Sequence, residues 1–297
     1  MWLSKKSRRS PSEKSRAWDR DGAVANGHID RPLRERLGRP GLRIVYRLYE
    51  QRLVREVRRR PMPHHVGIIL DGNRRYGRAH SIADPVELYS LGARKLDDVL
   101  GWCIELKIAA VTLWLFSAEN FTRPAAEVAG ILSAIEGKLR ALARDNFVHR
   151  HRVRVRALGR LAMLPETVVS AITAAEHATE GYDGMELNFA VAYGGRQEIV
   201  DATKAFLHRE AADGVEFREA IARICPEAIS EHLYTAGLPD PDLIIRTSGE
   251  IQLSGFLLWQ SAHSEFYFTD VPWPAFRKID FLRAIRAFQD RKRRFGR

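Results

Sequence analysis

The hydrophobic pattern changes period along the chain, and the changes mark out the elements. Short apolar runs bounded by polar or turn residues fall at 65–70, 110–116, 153–158, 186–191, 243–246 and 256–259. Continuous apolar character is what a strand buried on both faces shows. Between these runs lie stretches with apolar positions at helical spacing, at 85–106, 124–147, 165–179 and 196–210, with two more inside 217–234 and a closing one at 274–291. Pro124, Pro165 and Pro274 open three of them, as suits a residue with no N–H to lose in a first turn. Strand and helix alternate from residue 64 onward. The pattern predicts an α/β fold, a single domain with a mostly parallel central sheet of about six strands covered by helices.

The chain before residue 62 reads differently. Leu42, Val45, Tyr46, Tyr49, Leu53 and Val57 recur at helical spacing with arginines between them, which predicts an amphipathic helix over 42–61, closed by Pro61. Residues 1–41 are rich in Ser, Arg, Gly and Pro and are expected to form a basic, disordered tail. The compact domain is then 62–297.

Charge sharpens that division. Residues 1–60 hold 18 Lys and Arg against 7 Asp and Glu, while the remaining 237 residues hold 30 of each sign. A neutral domain lacks the basic stripe that tracks nucleic-acid phosphates, so no nucleic-acid partner is expected. The apolar runs fall short of the roughly 20 residues a membrane span needs. The basic start lacks the apolar run of a secretory leader. Cys103 and Cys225 make no disulfide or metal spacing, and a reducing cytoplasm is expected.

In parallel α/β sheets, ligands sit off the carboxyl ends of the strands. The first strand runs into Asp71-Gly72-Asn73-Arg74-Arg75. Backbone N–H groups and two guanidiniums beside one acid suit a phosphate with a divalent cation, although Asp-Gly alone reads equally as a tight turn. Other predicted strands end alike, supplying Ser117, Asn120 and Arg123, then Arg196, then Arg246 and Ser254. Arginine's fork fits phosphate oxygens, so the set points to one or two polyanionic substrates and a magnesium ion. Phosphate loops of the G-x-x-x-x-G-K-[ST] and G-x-G-x-x-G kinds are absent. Asp97-Asp98 lacks the further Asp of an acidic magnesium box. His64 and His65 would face opposite sides of a strand and do not make a metal pair.

The segments HVGIILDGNRRYGR (65–78), FSAENFTRP (116–124), VAYGGRQEIVDA (191–202), PDPDLIIRTSGE (239–250), LSGFLLWQSAHSEFYFTDVPWP (253–274) and RRFGR (293–297) resemble, in order and spacing, the signatures of the cis-prenyltransferases, the undecaprenyl diphosphate synthase family. The look is nearest to actinobacterial short-chain members that make (2Z,6E)-farnesyl diphosphate. The resemblance implies a magnesium-dependent enzyme that joins isopentenyl diphosphate to an allylic diphosphate. Catalytic roles would fall to Asp71, Asn73, Ser117 and Asn120. Gly72, Arg74, Arg75, Tyr76, Tyr89, Phe121, Arg123, Arg246 and Ser254 would bind substrate. Asp71 and Glu265 would hold Mg2+, Glu265 as a second carboxylate near the dimer interface, and Arg294 and Gly296 would reach the partner's site in a homodimer.

The implied acceptor is geranyl diphosphate and the product short, with a decaprenyl or undecaprenyl synthase as the alternative. A non-catalytic partner subunit is a further reading, which the retained Asp71, Asn73 and Glu265 oppose. Leu115 stands where long-chain members carry Ala and is expected to limit chain length. Strand alternation would let only one of Trp114 and Leu115 face a tunnel walled by Leu88, Leu91, Trp114 and helix 124–147. Gln252 and Tyr89 depart from the family's usual Arg and His. The expected location is the cytoplasm, with weak contact at the anionic inner face of the cell membrane left open.

Overall fold

The computed structural model describes residues 40–291, with side chains from residue 44 onward. Arg294 and Gly296, and the predicted tail up to residue 39, lie outside the described residues. Among the described residues the chain divides into two units between Leu48 and Tyr49. Helix α1 spans Pro40–Val57. In the first unit its Ile44, Val45 and Leu48 are exposed; in the second its Leu53 and Val57 are buried.

The second unit is built on β1 (His65–Ile69), β2 (Ala110–Ser117), β3 (Val153–Leu158), β4 (Met185–Tyr193), β5 (Leu243–Arg246) and β6 (Glu265–Phe268). These form one six-stranded sheet in the order β3-β4-β2-β1-β5-β6, and every adjacent pair is parallel. The helices are α2 (Asn73–Ala79), α3 (Pro85–Glu105), α4 (Ala125–Leu142), α5 (Asn146–Arg150), α6 (Glu166–Thr179), α7 (Gly195–Ala212), α8 (Phe217–Ala222), α9 (Pro226–Ser230) and α10 (Lys278–Asp290). All of β1 is buried, which is why its sequence runs apolar without alternation. The chain leaves β1 towards β2, while β5 lies on the other side of β1. That reversal opens a crevice at the carboxyl end of β1.

Local signals set the helix starts. Asp84 caps α3, its Oδ1 accepting from Val86 N at 2.9 Å, with Pro85 in the first turn. Asp145 caps α5, accepting from Phe147 N at 2.7 Å. The expected helix 124–147 is therefore two helices, because Asp145 restarts the ladder after α4 ends.

Residues 256–259 are not a strand. Gly255 has φ +88° and Leu257 φ +45°, so the chain turns while Phe256 and Leu257 pack with Ile69, Tyr193 and Ile244. A buried turn and a buried strand share the same apolar run. The sixth strand lies at 265–268, on the sheet edge.

Candidate active site

The carboxyl ends of β1, β2, β4 and β5 open into one cleft of about 1120 Å³. Of the sequence-predicted residues, Asp71, Gly72, Asn73, Arg74, Arg75, Tyr89, Leu115, Ser117, Asn120, Arg123, Arg246 and Ser254 all line it. Tyr76, Phe121 and Glu265 lie off it. Tyr76 stacks on His80 with ring centroids 3.9 Å apart, and Phe121 meets Phe116 edge-on at 4.8 Å.

Asp71 sits where β1 gives way to α2. Its N–H donates to Thr247 Oγ1 at 2.9 Å, and Thr247 Oγ1 donates to its carbonyl at 2.7 Å. Trp273 N–H donates to the same carbonyl at 2.9 Å. The carboxylate accepts from Gly72 N at 2.7 Å through Oδ1 and from Arg246 Nη2 at 2.9 Å through Oδ2. Arg246 is only 5% exposed, and a guanidinium that deep needs its partners. Its Nη1 donates to Ser254 Oγ at 2.8 Å and to the Gln252 carbonyl. Gly72 has φ +96°, and a Cβ there would meet Ser248 and Pro272 at 2.8 and 2.9 Å. Only glycine lets the chain turn into α2 this close to the β5 loop. The first turn of α2, whose leading N–H groups have no intrahelical acceptor, then lines the cleft.

Further cleft residues were not singled out from the sequence. Glu250 accepts from Arg75 Nη2 at 3.0 Å, while Arg75 Nη1 donates to the Ser248 carbonyl at 2.5 Å. Arg78 and Arg160 also line the cleft. Ser248 (φ +78°), Ser254 (φ +53°) and Ala192 (φ +49°) hold left-handed conformations without being glycine, a strain that gathers at functional sites. Glu198 is fully buried, and burial pushes its carboxyl above the ordinary range. It accepts from Tyr193 Oη, from Tyr234 N at 3.0 Å and from Gln260 Nε2 at 3.1 Å. That network pins the turn into α7, where a Cβ on Gly195 would meet the Gly255 carbonyl at 2.3 Å.

Strand alternation fails where it was expected to decide. Trp114 pairs with Ala190 and Phe116 with Val191, so Leu115 is the extra residue of a bulge. Trp114 and Leu115 therefore both line the cleft, together with Ile131 of α4. Leu88 and Leu91 do not; Leu88 is buried, with its methyls against Gly77.

Glu265 opens β6 opposite Leu243, whereas Arg246 pairs with Phe268 at the other end. Glu265 is ion-paired with Arg291. Within one chain, Asp71 and Glu265 cannot hold the same ion. Asp71 alone fits magnesium in the manner of one carboxylate shared with substrate phosphates. Its side chain is 37% exposed, and its cleft is lined with arginines.

The geometry is that of an enzyme built for polyanions, and comparison with known proteins says which. The family model described as "Putative undecaprenyl diphosphate synthase" matches residues 69–296. The chain is 55% identical over 255 residues to the "Isoprenyl transferase" of Thermus thermophilus, covering 86% of this chain and 97% of that one. It is 50% identical over 252 residues to the "(2Z,6E)-farnesyl diphosphate synthase" of Thermobifida fusca, covering 85% and 97%. Its fold is similar to a lavandulyl diphosphate synthase from Lavandula x intermedia solved with dimethylallyl diphosphate, with a TM-score of 0.72 and 31% identity over 82% of this chain and all of that one. The chain belongs to the undecaprenyl diphosphate synthase family of cis-prenyltransferases, and it is an isoprenyl transferase.

Proposed function

We propose that this enzyme adds isopentenyl diphosphate to geranyl diphosphate and releases (2Z,6E)-farnesyl diphosphate. The carrying observation is that two large side chains of β2 stand together in the cleft wall. Trp114 and Leu115 both narrow the cleft wall. Trp114 stacks on Phe256 with centroids 5.4 Å apart, which fixes its ring. Between the sheet and helices α3 and α4, among Leu96, Val99, Leu100, Leu113 and Phe189, the void is about 10 Å³, at the limit for a single water. A chain growing by isoprene units would have to displace packed core side chains, and overpacking costs about 1–3 kcal/mol per misfit.

The chemistry follows from where charge develops. Cleavage of the allylic C–O bond places charge on the departing diphosphate, and preorganised guanidiniums beside Asp71 meet it without reorganising. Arg246 and Ser254 hold the isopentenyl diphosphate. Arg74, Arg75 and the first turn of α2 hold the allylic one. Asn73 and Ser117 flank the reacting carbons. Asn120 sets the loop, its Oδ1 accepting from Ser117 N at 3.1 Å. Asp71, together with the diphosphate, would hold magnesium, which would supply neutralising charge at the leaving group.

The active form on this reading is a homodimer. The edge strand β6, with Phe266 and Phe268 partly exposed and stacked at 6.3 Å, is the surface a second copy would cover. No helix among the described residues is long and apolar enough to cross a membrane. The excess positive charge before residue 61 supports weak attachment of a cytoplasmic enzyme to anionic lipid. Product length in Leu115→Ala tests the central assignment. The variant is expected to release longer chains than the wild type, and an unchanged product distribution would count against Leu115 as the stop.

A further inference from the structure

Three helices begin near the cleft mouth, and side chains from or just before their starts meet at one oxygen atom. Glu127, in the first turn of α4, accepts through Oε1 from Tyr89 Oη of α3 at 2.9 Å and from Arg123 Nη1 at 2.8 Å. Arg74 Nε of α2 lies 3.8 Å from the same oxygen. The Glu127 side chain is 16% exposed, whereas that of Arg74 is 62% exposed. Tyr89, Arg74 and Arg123 line the cleft, and Glu127 stands behind them. Burial, reinforced by the Glu127 carboxylate, pushes the Tyr89 hydroxyl up to about 12. The phenol thus stays protonated as the donor.

We propose that Glu127 is a positioning residue for the allylic diphosphate, holding Arg123 in the orientation that grips it. This rests on the prenyltransferase reading above. The physical reason is entropic. Arginine side chains carry many rotamers, and ordering them on binding weakens the complex. A carboxylate that pre-orders Arg123, itself anchored by a phenol from α3, removes that loss before the substrate arrives. Charge-assisted bonds are about twice as strong as neutral ones, so the function depends on the negative charge of Glu127. Nothing on the opposite wall shares the cluster. Arg246 is fixed by Asp71, Ser254 and the Gln252 carbonyl, and Arg75 by Glu250 and the Ser248 carbonyl.

Two roles for Glu127 predict opposite signs. A mere counter-charge repels the incoming anion, so its removal would tighten binding. A positioning residue loses its hold, so its removal weakens binding. In the full chain, Glu127→Gln should raise the KM for the allylic diphosphate about tenfold and leave the KM for isopentenyl diphosphate within about twofold. In an Arg123→Ala background the same change should add less than about twofold, since the residue acts through that arginine. Tyr89→Phe, which keeps the ring and the charge, should move the same KM in the same direction by a smaller factor.

A lower KM in Glu127→Gln would overturn the proposal. So would full additivity with Arg123→Ala, or a loss of Tm with both KM values unchanged. Calorimetric binding of inorganic diphosphate reads the same effect without turnover. If the wild type bound diphosphate but made no prenyl product, the functional reading would fail while this test still ran: weaker diphosphate binding in Glu127→Gln would support the proposal, and equal or tighter binding would overturn it.

Discussion

The two ends of β1 carry polar residues of similar promise in the sequence, and the fold puts them to opposite uses. At the carboxyl end, Asp71 faces a wide cleft and shares its oxygens with Arg246 and a backbone N–H. At the amino end, His65 is 1% exposed. Its Nδ1 is 2.7 Å from the Pro239 carbonyl and its Nε2 2.8 Å from Thr112 Oγ1. Nδ1 must donate to the carbonyl, and burial favours the neutral ring, in which Nε2 accepts from the Thr112 hydroxyl. Burial lowers its pKa to about 4. One end keeps charge in contact with solvent, where it can meet a substrate. The other satisfies every ring nitrogen internally and pins the sheet. Satisfied burial marks scaffold, and charge at a strained, open strand end marks chemistry.

The largest effect expected from breaking this contrast is at the open end. Asp71→Asn keeps an acceptor for Arg246 but removes the charge, and kcat should fall about a thousand-fold with Tm nearly unchanged. Near-normal turnover measured with saturating substrates would remove Asp71 from the chemistry. At the closed end the effect is on stability and not on rate. A histidine whose folded pKa lies below its unfolded value of 6.5 stabilises the protein above that value and loses the contribution as pH falls towards 4. The loss amounts to about 3 kcal/mol at most. Denaturant unfolding between pH 7 and 4.5 should show this slope in the wild type and a shallower one in His65→Gln. The smallest expected effect lies within the cleft. Gln252 lines it, and Gln252→Arg should lower the KM for isopentenyl diphosphate about threefold by adding a charge-assisted contact. A steady-state titration showing no change would mean that position 252 does not meet the diphosphate.

Much of this was legible in the sequence, for stateable reasons. Strands β1, β2 and β5 announce themselves because parallel strands buried on both faces run apolar almost throughout, whereas the edge strand β3 carries Arg154 and Arg156 between its buried positions. The cleft residues at their ends follow from the strand-end rule. Three kinds of feature were hidden. Residues 256–259 are apolar because they are buried, and burial alone does not distinguish a turn from a strand. The bulge at Leu115 leaves no compositional mark, so period-two reasoning put Trp114 and Leu115 on opposite faces when both reach the cleft. Glu127 reads as an ordinary acid in a first helical turn, and only the meeting of α2, α3 and α4 reveals its three neighbours. Glu265 is the reverse case: its place in a motif suggested a metal carboxylate near a dimer interface, and register puts it away from Asp71 of its own chain.

The most direct test of the account is the product of the wild-type enzyme itself. The full chain is incubated with magnesium, labelled isopentenyl diphosphate and, in separate reactions, geranyl or farnesyl diphosphate, and the products are resolved by chain length. Efficient conversion of geranyl diphosphate to (2Z,6E)-farnesyl diphosphate is expected, with little further growth and poor use of the farnesyl acceptor. Accumulation of decaprenyl or longer diphosphates from either acceptor would contradict it.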